Sequence, residues 1–153
     1  MPYIPVFFEI MIRTNVKMGD DYLFVYGTLL KGFKHPVQMF FAEQAKYVDK
    51  GSIRGQLFCL GGYPGVIPSA NPGDKVYGEA YLIKDDDRVW SVLDEYEGCG
   101  AGDEYPQEYR REKVEVTLET GKKITAWTYL YNLDISGYRQ IESGRFRDAG
   151  NEE

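Results

Sequence analysis

Among the 24 acidic residues of this 153-residue chain, Glu97 occupies an electrostatically awkward place. The stretch DDDRVWSVLDEYEGCG, residues 85–100, predicts a helix over 86–97. Its opening aspartates suit the amide end of the dipole, and Val89, Trp90, Leu93 and Tyr96 form an apolar face. Glu97 follows Leu93 by four and Trp90 by seven, so it falls on the core side of the last turn, with Gly98 as C-cap. Partial burial, the carbonyl end of the dipole and Asp94 one turn back all disfavour the ionised form. Together they predict a carboxyl titrating above its ordinary range. At a pocket edge such an acid can accept and return a proton. Turned to solvent, it would instead pair with Arg110 or Arg111. Glu95 lies off the apolar stripe and should face water.

A second candidate is YLFVYGTLL, residues 22–30, where an apolar run breaks at Gly27–Thr28. A buried strand delivering this pair can turn sharply and present successive backbone N–H groups beside a hydroxyl. Such a nest binds a carboxylate or a developing oxyanion without a positive side chain. The same glycine also suits a bulge or tight turn that serves packing alone. Neither a dinucleotide fingerprint nor a P-loop is present, since both glycine spacings are absent.

Other chemistries have little material to work with. A formal charge of −6 without a basic stripe disfavours nucleic acid. One histidine, His35, and two separated cysteines, Cys59 and Cys99, make no zinc-ligand spacing. The cysteines read as buried or half-buried thiols in a reducing, cytoplasmic setting. Residues 1–19 carry Pro2, Pro5 and Glu9 within their apolar run, with neither a basic leader nor a cleavage site, and fit neither a signal peptide nor a membrane span. They remain an extension whose role is either an edge strand or a loose arm, and Met11 or Met18 is a candidate start.

The elements that must position these residues are short and strand-rich. Apolar residues at 43%, with thirteen tyrosines and eight phenylalanines, suit one globular domain built largely of sheet. A strand is expected over 22–26, buried on both faces, and a short helix over 36–46 begins at Pro36. Strands follow at 51–60 and 75–83, separated by GGYPGVIPSANPGD, whose prolines and glycines argue against long secondary structure. Residues 110–119 and 123–132 read as a hairpin across ETGKK. The fold class is therefore α+β: about six strands in a closed or strongly curled β-barrel, one main helix and one short helix, over residues 20–150.

Taken together, VYGTLLKG, the Tyr63–Pro64 turn and LDEYEG with a following YRR resemble the gamma-glutamylcyclotransferase-like family. Within it the chain is similar to the branch of gamma-glutamylamine cyclotransferase and AIG2-like proteins, over residues 22 to about 132. The resemblance implies a barrel with a substrate cavity at one end. It also implies an activity in which the substrate's α-amine attacks its own γ-carbonyl, giving 5-oxoproline and a free amine. The family's catalytic glutamate falls on Glu97, and its backbone-binding loop on Tyr26, Gly27, Thr28 and Leu29. Its cavity-side turn falls on Tyr63 and Pro64, and its aromatics on Tyr109 and on Tyr131 or Tyr129. No metal or cofactor is implied. The partner is a small gamma-glutamyl molecule, with no nucleic acid or membrane, and the protein acts as a monomer or weak homodimer.

Other readings keep the scaffold but not the reaction: a non-catalytic small-molecule binder, an interaction protein, or a hydrolase in which Glu97 activates water. The chain departs from the family in a longer acidic loop, GCGAGDEYPQE, before Tyr109. Asp103, Glu104 and Glu108 there either favour a cationic leaving part or form a solvated rim.

Overall fold

Strand β1, Asp21–Val25, carries the structure's organising contacts. In this computed structural model, which describes residues 21–27, 36–83, 87–100, 102 and 105–146, β1 pairs antiparallel with β4, Lys75–Ile83, and parallel with β6, Lys123–Tyr131. Its side chains alternate between two apolar clusters. Leu23 and Val25 face one, Phe24 and Tyr26 the other. A run apolar on both faces is thus buried on both faces, as the sequence predicts.

β6 forms a hairpin with β5, Tyr109–Leu118, and β4 pairs with the 15-residue β2, Ala45–Cys59. Gly51 and Ser52 of β2 then pair with Leu118 and Thr117 of β5. That pairing closes the order β2-β4-β1-β6-β5 into a five-stranded barrel. Closure leaves no open edge among these strands. β2 is long enough to serve the barrel and also to extend past it. Its end pairs with β3, Pro64–Pro68, and with the two-residue β7, Arg139–Gln140. A register shift between Tyr47 and Asp49 bends it on the way.

Two details refine the expectation here. The turn-rich segment after residue 60 contains a five-residue strand, because Gly65, Val66 and Ile67 find a partner edge on β2. Among the described residues the strands number seven, close to the six or so expected, because Arg139–Gln140 add β7 to the same strand. The predicted 51–60 strand also begins earlier, at Ala45, directly after helix α1, Pro36–Gln44.

Barrel strands contribute Phe24, Ile53, Leu57, Val76, Ala80, Val116, Ala126 and Leu130 to one buried cluster. The other cluster lies beneath the helices. Phe41 of α1 and Val89, Trp90 and Leu93 of α2, Asp87–Tyr96, pack with Leu23, Tyr81, Ile83 and Tyr129. Burying Leu93 completely fixes the rotation of α2, and with it the direction in which the chain emerges at Glu97. Cys59 and Cys99 are half-buried and are not joined in a disulfide. Among the described residues no helix is long and apolar enough to cross a membrane. The extension 1–19, His35 and the acids Asp103 and Glu104 lie outside the described residues.

Candidate active site

α2 ends one residue before Glu97. Gly98 adopts φ +74°, where a side chain would be strained. The Cys99 N–H then reaches the Asp94 carbonyl at 2.9 Å and the Gly98 N–H the Glu95 carbonyl at 3.2 Å. These two bonds make a Schellman closure. It terminates the helix while Glu97 still bonds Leu93 through its backbone at 3.1 Å, so the side chain is held by helical geometry although the residue itself lies in the turn.

Glu97 opens onto a cavity of about 370 Å³. β1 supplies Phe24 and Val25 to its wall and leads directly into Tyr26 and Gly27. The turn into β3 supplies Tyr63 and the strand's first residue Pro64, the approach to β5 supplies Glu108 and its first residue Tyr109, and β6 supplies Tyr129. These elements converge because β1 and β6 run parallel and β5 antiparallel to both, which brings the ends of β1 and β6 beside the start of β5. Glu97 and Gly27 therefore border one hollow.

Gly27 has a steric reason to be glycine. A Cβ there would stand 2.7 Å from Pro64 Cγ, so the strand end and the Tyr63–Pro64 turn approach too closely for any side chain. Thr28 and Leu29 lie outside the described residues.

Burial is the main force on Glu97, followed by the charges of Glu108 and then Asp94; together they raise its carboxyl from 4.5 to about 8. The sequence offers burial and Asp94. Glu108, at the far end of the acidic loop, is an additional source. The two cations available to Glu97 are engaged elsewhere. Arg111 binds Asp94 through Nε at 2.8 Å, and Arg110 binds Glu112. Glu95 is exposed, as its place off the apolar stripe predicts.

The family profile described as gamma-glutamyl cyclotransferase, AIG2-like, matches residues 23–148. The chain belongs to this family. It is 32% identical to MJ1514 of Methanocaldococcus jannaschii over 131 residues, 84% of this chain and 97% of that one. It is 31% identical over 129 residues to YtfP of Escherichia coli K12, named a gamma-glutamylcyclotransferase family protein, covering 82% and 96%. The crystal structure of YkqA from Bacillus subtilis superposes with a TM-score of 0.64 at 25% identity. It covers 88% of this chain, which spans 43% of that larger protein.

In this gamma-glutamyl cyclotransferase family member, the tyrosines around the cavity are mutually braced. The Tyr26 hydroxyl donates to the Tyr129 carbonyl, and the Tyr109 hydroxyl to the Pro64 carbonyl. The Tyr129 hydroxyl donates to Asp94 Oδ1 at 2.7 Å. Each hydroxyl proton is thus committed to the protein, leaving oxygen lone pairs as what these groups can offer a ligand. Burial first holds the phenols of Tyr109 and Tyr129 far above their ordinary range, followed by Tyr26 and then the acids Glu97 and Glu108 for Tyr109 and by the Asp94 bond for Tyr129, so they enter the site as neutral groups. Tyr63 donates to Glu108 Oε2 at 2.6 Å, and that bond, with burial and charge, raises its phenol to about 12.

Of the two β6 tyrosines, Tyr129 borders the cavity. Tyr131, which is not among the lining residues, packs its ring against Tyr109 at 5.5 Å and Tyr138 at 6.5 Å. Sequence spacing could not separate them, because residues two apart on a strand share a face. The sequence shows Asp94 as a like charge one turn before Glu97 and Arg111 as a candidate partner of Glu97, but not that the two pair with each other. Their shared ion pair depends on how α2 packs on β5.

Proposed function

We propose that this chain is a gamma-glutamyl cyclotransferase, converting a small gamma-glutamyl amine or peptide to 5-oxoproline and a free amine with Glu97 as the proton carrier. The observation that carries the reading is a protonatable glutamate, poised at about 8, in the same cavity as Gly27.

The ionised fraction of Glu97 takes a proton from the substrate's α-ammonium. The freed nitrogen attacks the γ-carbonyl carbon of the same molecule and closes a five-membered ring. The bond from that carbon to the leaving nitrogen then breaks as Glu97 delivers its proton there. The ring nitrogen's second proton is also passed through Glu97 to the departing amine, which leaves as an ammonium. Nothing is left on the protein. An acid titrating near neutrality suits both directions of transfer better than one at 4.5. Since nucleophile and target are already tethered, the cavity mainly has to hold the substrate curled. A volume of about 370 Å³ is suited to a ligand of that size. Backbone amides at and after Gly27 are assigned the substrate's α-carboxylate.

The cavity holds two carboxyl groups, Glu97 and Glu108, and no lysine or arginine among its described lining residues. This lining favours a leaving part that carries positive charge over an anionic peptide. The test is to incubate the purified protein with neutral, anionic and cationic gamma-glutamyl amines and quantify 5-oxoproline and free glutamate. Ring product with preference for the cationic members is expected. Glutamate without 5-oxoproline would replace cyclisation by hydrolysis, and tight binding without either product would leave a binder.

A further inference from the structure

The cavity's geometry depends on an ion pair that does not line it. Arg111 of β5 places its guanidinium carbon 4.5 Å from the Trp90 ring centroid and 4.6 Å from that of Trp127. Trp90 belongs to α2 and Trp127 to β6, so the cation bridges helix and hairpin. From that slot it grips Asp94 with a two-pronged contact, Nε to Oδ1 at 2.8 Å and Nη2 to Oδ2 at 3.3 Å. Asp94 also receives the Tyr129 hydroxyl, and Tyr129 in turn accepts from Tyr26 through its carbonyl. One carboxylate therefore ties the helix bearing Glu97 to both strands of the hairpin and, through Tyr129, to the end of β1.

We propose that Asp94 and Arg111 are positioning residues for the reaction at Glu97, tying the last turn of α2 to β5 and β6 and setting a fixed ion pair one helical turn from the reacting carboxyl. The inference rests on the cyclotransferase reading for its link to turnover, but its electrostatic content does not. Groups facing Glu97 come from every packed element: Asp94 on α2, Glu108 before β5, Tyr109 on β5, Tyr129 on β6 and Tyr26 beyond β1, with Arg111 behind Asp94. The phenols are neutral near pH 7, so the charged members are Glu108 and the Asp94–Arg111 pair. Among these, the pair alone contains both signs.

That composition gives the two residues opposite effects. Asp94→Asn removes a negative charge and leaves Arg111 behind, which makes ionised Glu97 easier to form and lowers its titration midpoint. Arg111→Met removes the cation that offsets Asp94, so the midpoint rises. A merely structural staple predicts otherwise: loosening the site by either route admits water and lowers the midpoint in both variants.

The experiment is a ¹³C NMR titration of the Glu97 carboxyl in the full chain, with its signal assigned by loss in Glu97→Gln. It is run on wild type, D94N, R111M and R111K, beside the pH profile of 5-oxoproline release. The expected result is a downward shift of at least about 0.5 pH unit in D94N and an upward shift of similar size in R111M. R111K, which restores the charge, should lie within about 0.3 unit of wild type. Shifts of the same sign in D94N and R111M, or none in either, would overturn the proposal. If D94N does not fold, R111M against R111K decides by the same criterion. Opposite shifts in a protein that releases no 5-oxoproline would retain the electrostatic assignment and remove only the cyclotransferase reading.

Discussion

Replacing Glu97 by glutamine should stabilise the protein while disabling it. In the unfolded chain this carboxyl titrates near 4.5 and in the folded one near 8. Below the unfolded value both states hold the proton, and the residue makes no difference to stability. As pH rises the unfolded state ionises first, so folding must retain a proton that the unfolded chain has released, and stability falls until the folded carboxyl ionises too. At pH 7 about 2.5 pH units of that window have been crossed. At about 1.36 kcal/mol per unit, the penalty reaches roughly 3 kcal/mol. Glutamine, neutral at every pH, avoids it. Glu97→Gln should therefore match wild type at pH 4 and exceed it by up to about 3 kcal/mol at pH 7, or roughly 6–12 °C in Tm for a chain of this size. Over the same range kcat should fall at least about 100-fold. Urea denaturation of both proteins at pH 4, 5.5, 7 and 8.5, with 5-oxoproline release measured in parallel, is the assay. A stability difference that does not vary with pH would refute the reasoning, because it would mean that Glu97 ionises alike in both states.

Wild-type turnover should rise with pH on an acid limb centred near 8, since the ionised carboxylate is the working base and its population grows as pH approaches that value; a limb centred near 4.5 would contradict this. Glu108→Gln removes the largest charge acting on Glu97 and should move that limb to lower pH, measured as kcat against pH. Gly27→Ala forces a methyl to within 2.7 Å of Pro64 Cγ and should destabilise by about 1–3 kcal/mol while raising KM, checked by denaturant midpoint and steady-state kinetics. Leu93→Ala, beneath the last turn of α2, should cost about 2–5 kcal/mol by the same denaturation measurement.

What the sequence reveals most clearly is whatever depends on local period. The Leu23–Val25 run of β1 is apolar on every residue and is buried on both faces; the α2 stripe of Val89, Trp90 and Leu93 lies against the barrel as its spacing requires. The same spacing gives the position and protonation tendency of Glu97. Pairing between distant segments is less legible. Residues 64–68 lack a strand's usual composition and become β3 because the overlong β2 offers an edge. For Glu108 the sequence leaves open a cavity-mouth acid or a solvated rim; its place in the cavity wall, bonded to Tyr63 across 45 positions of chain, decides for the former. The Asp94–Arg111 pair likewise needs α2 packed on β5 before it exists. Gly27 illustrates a partial reading: a glycine was expected to matter there for backbone shape, and the crowding comes from Pro64, which no local pattern announces.

The most direct test of the central claim is 5-oxoproline formation by wild type and Glu97→Gln on the best gamma-glutamyl amine at pH 8. The account predicts steady ring-product release by wild type and a loss of at least about 100-fold in a folded variant that still binds substrate. Undiminished release by the variant would contradict it.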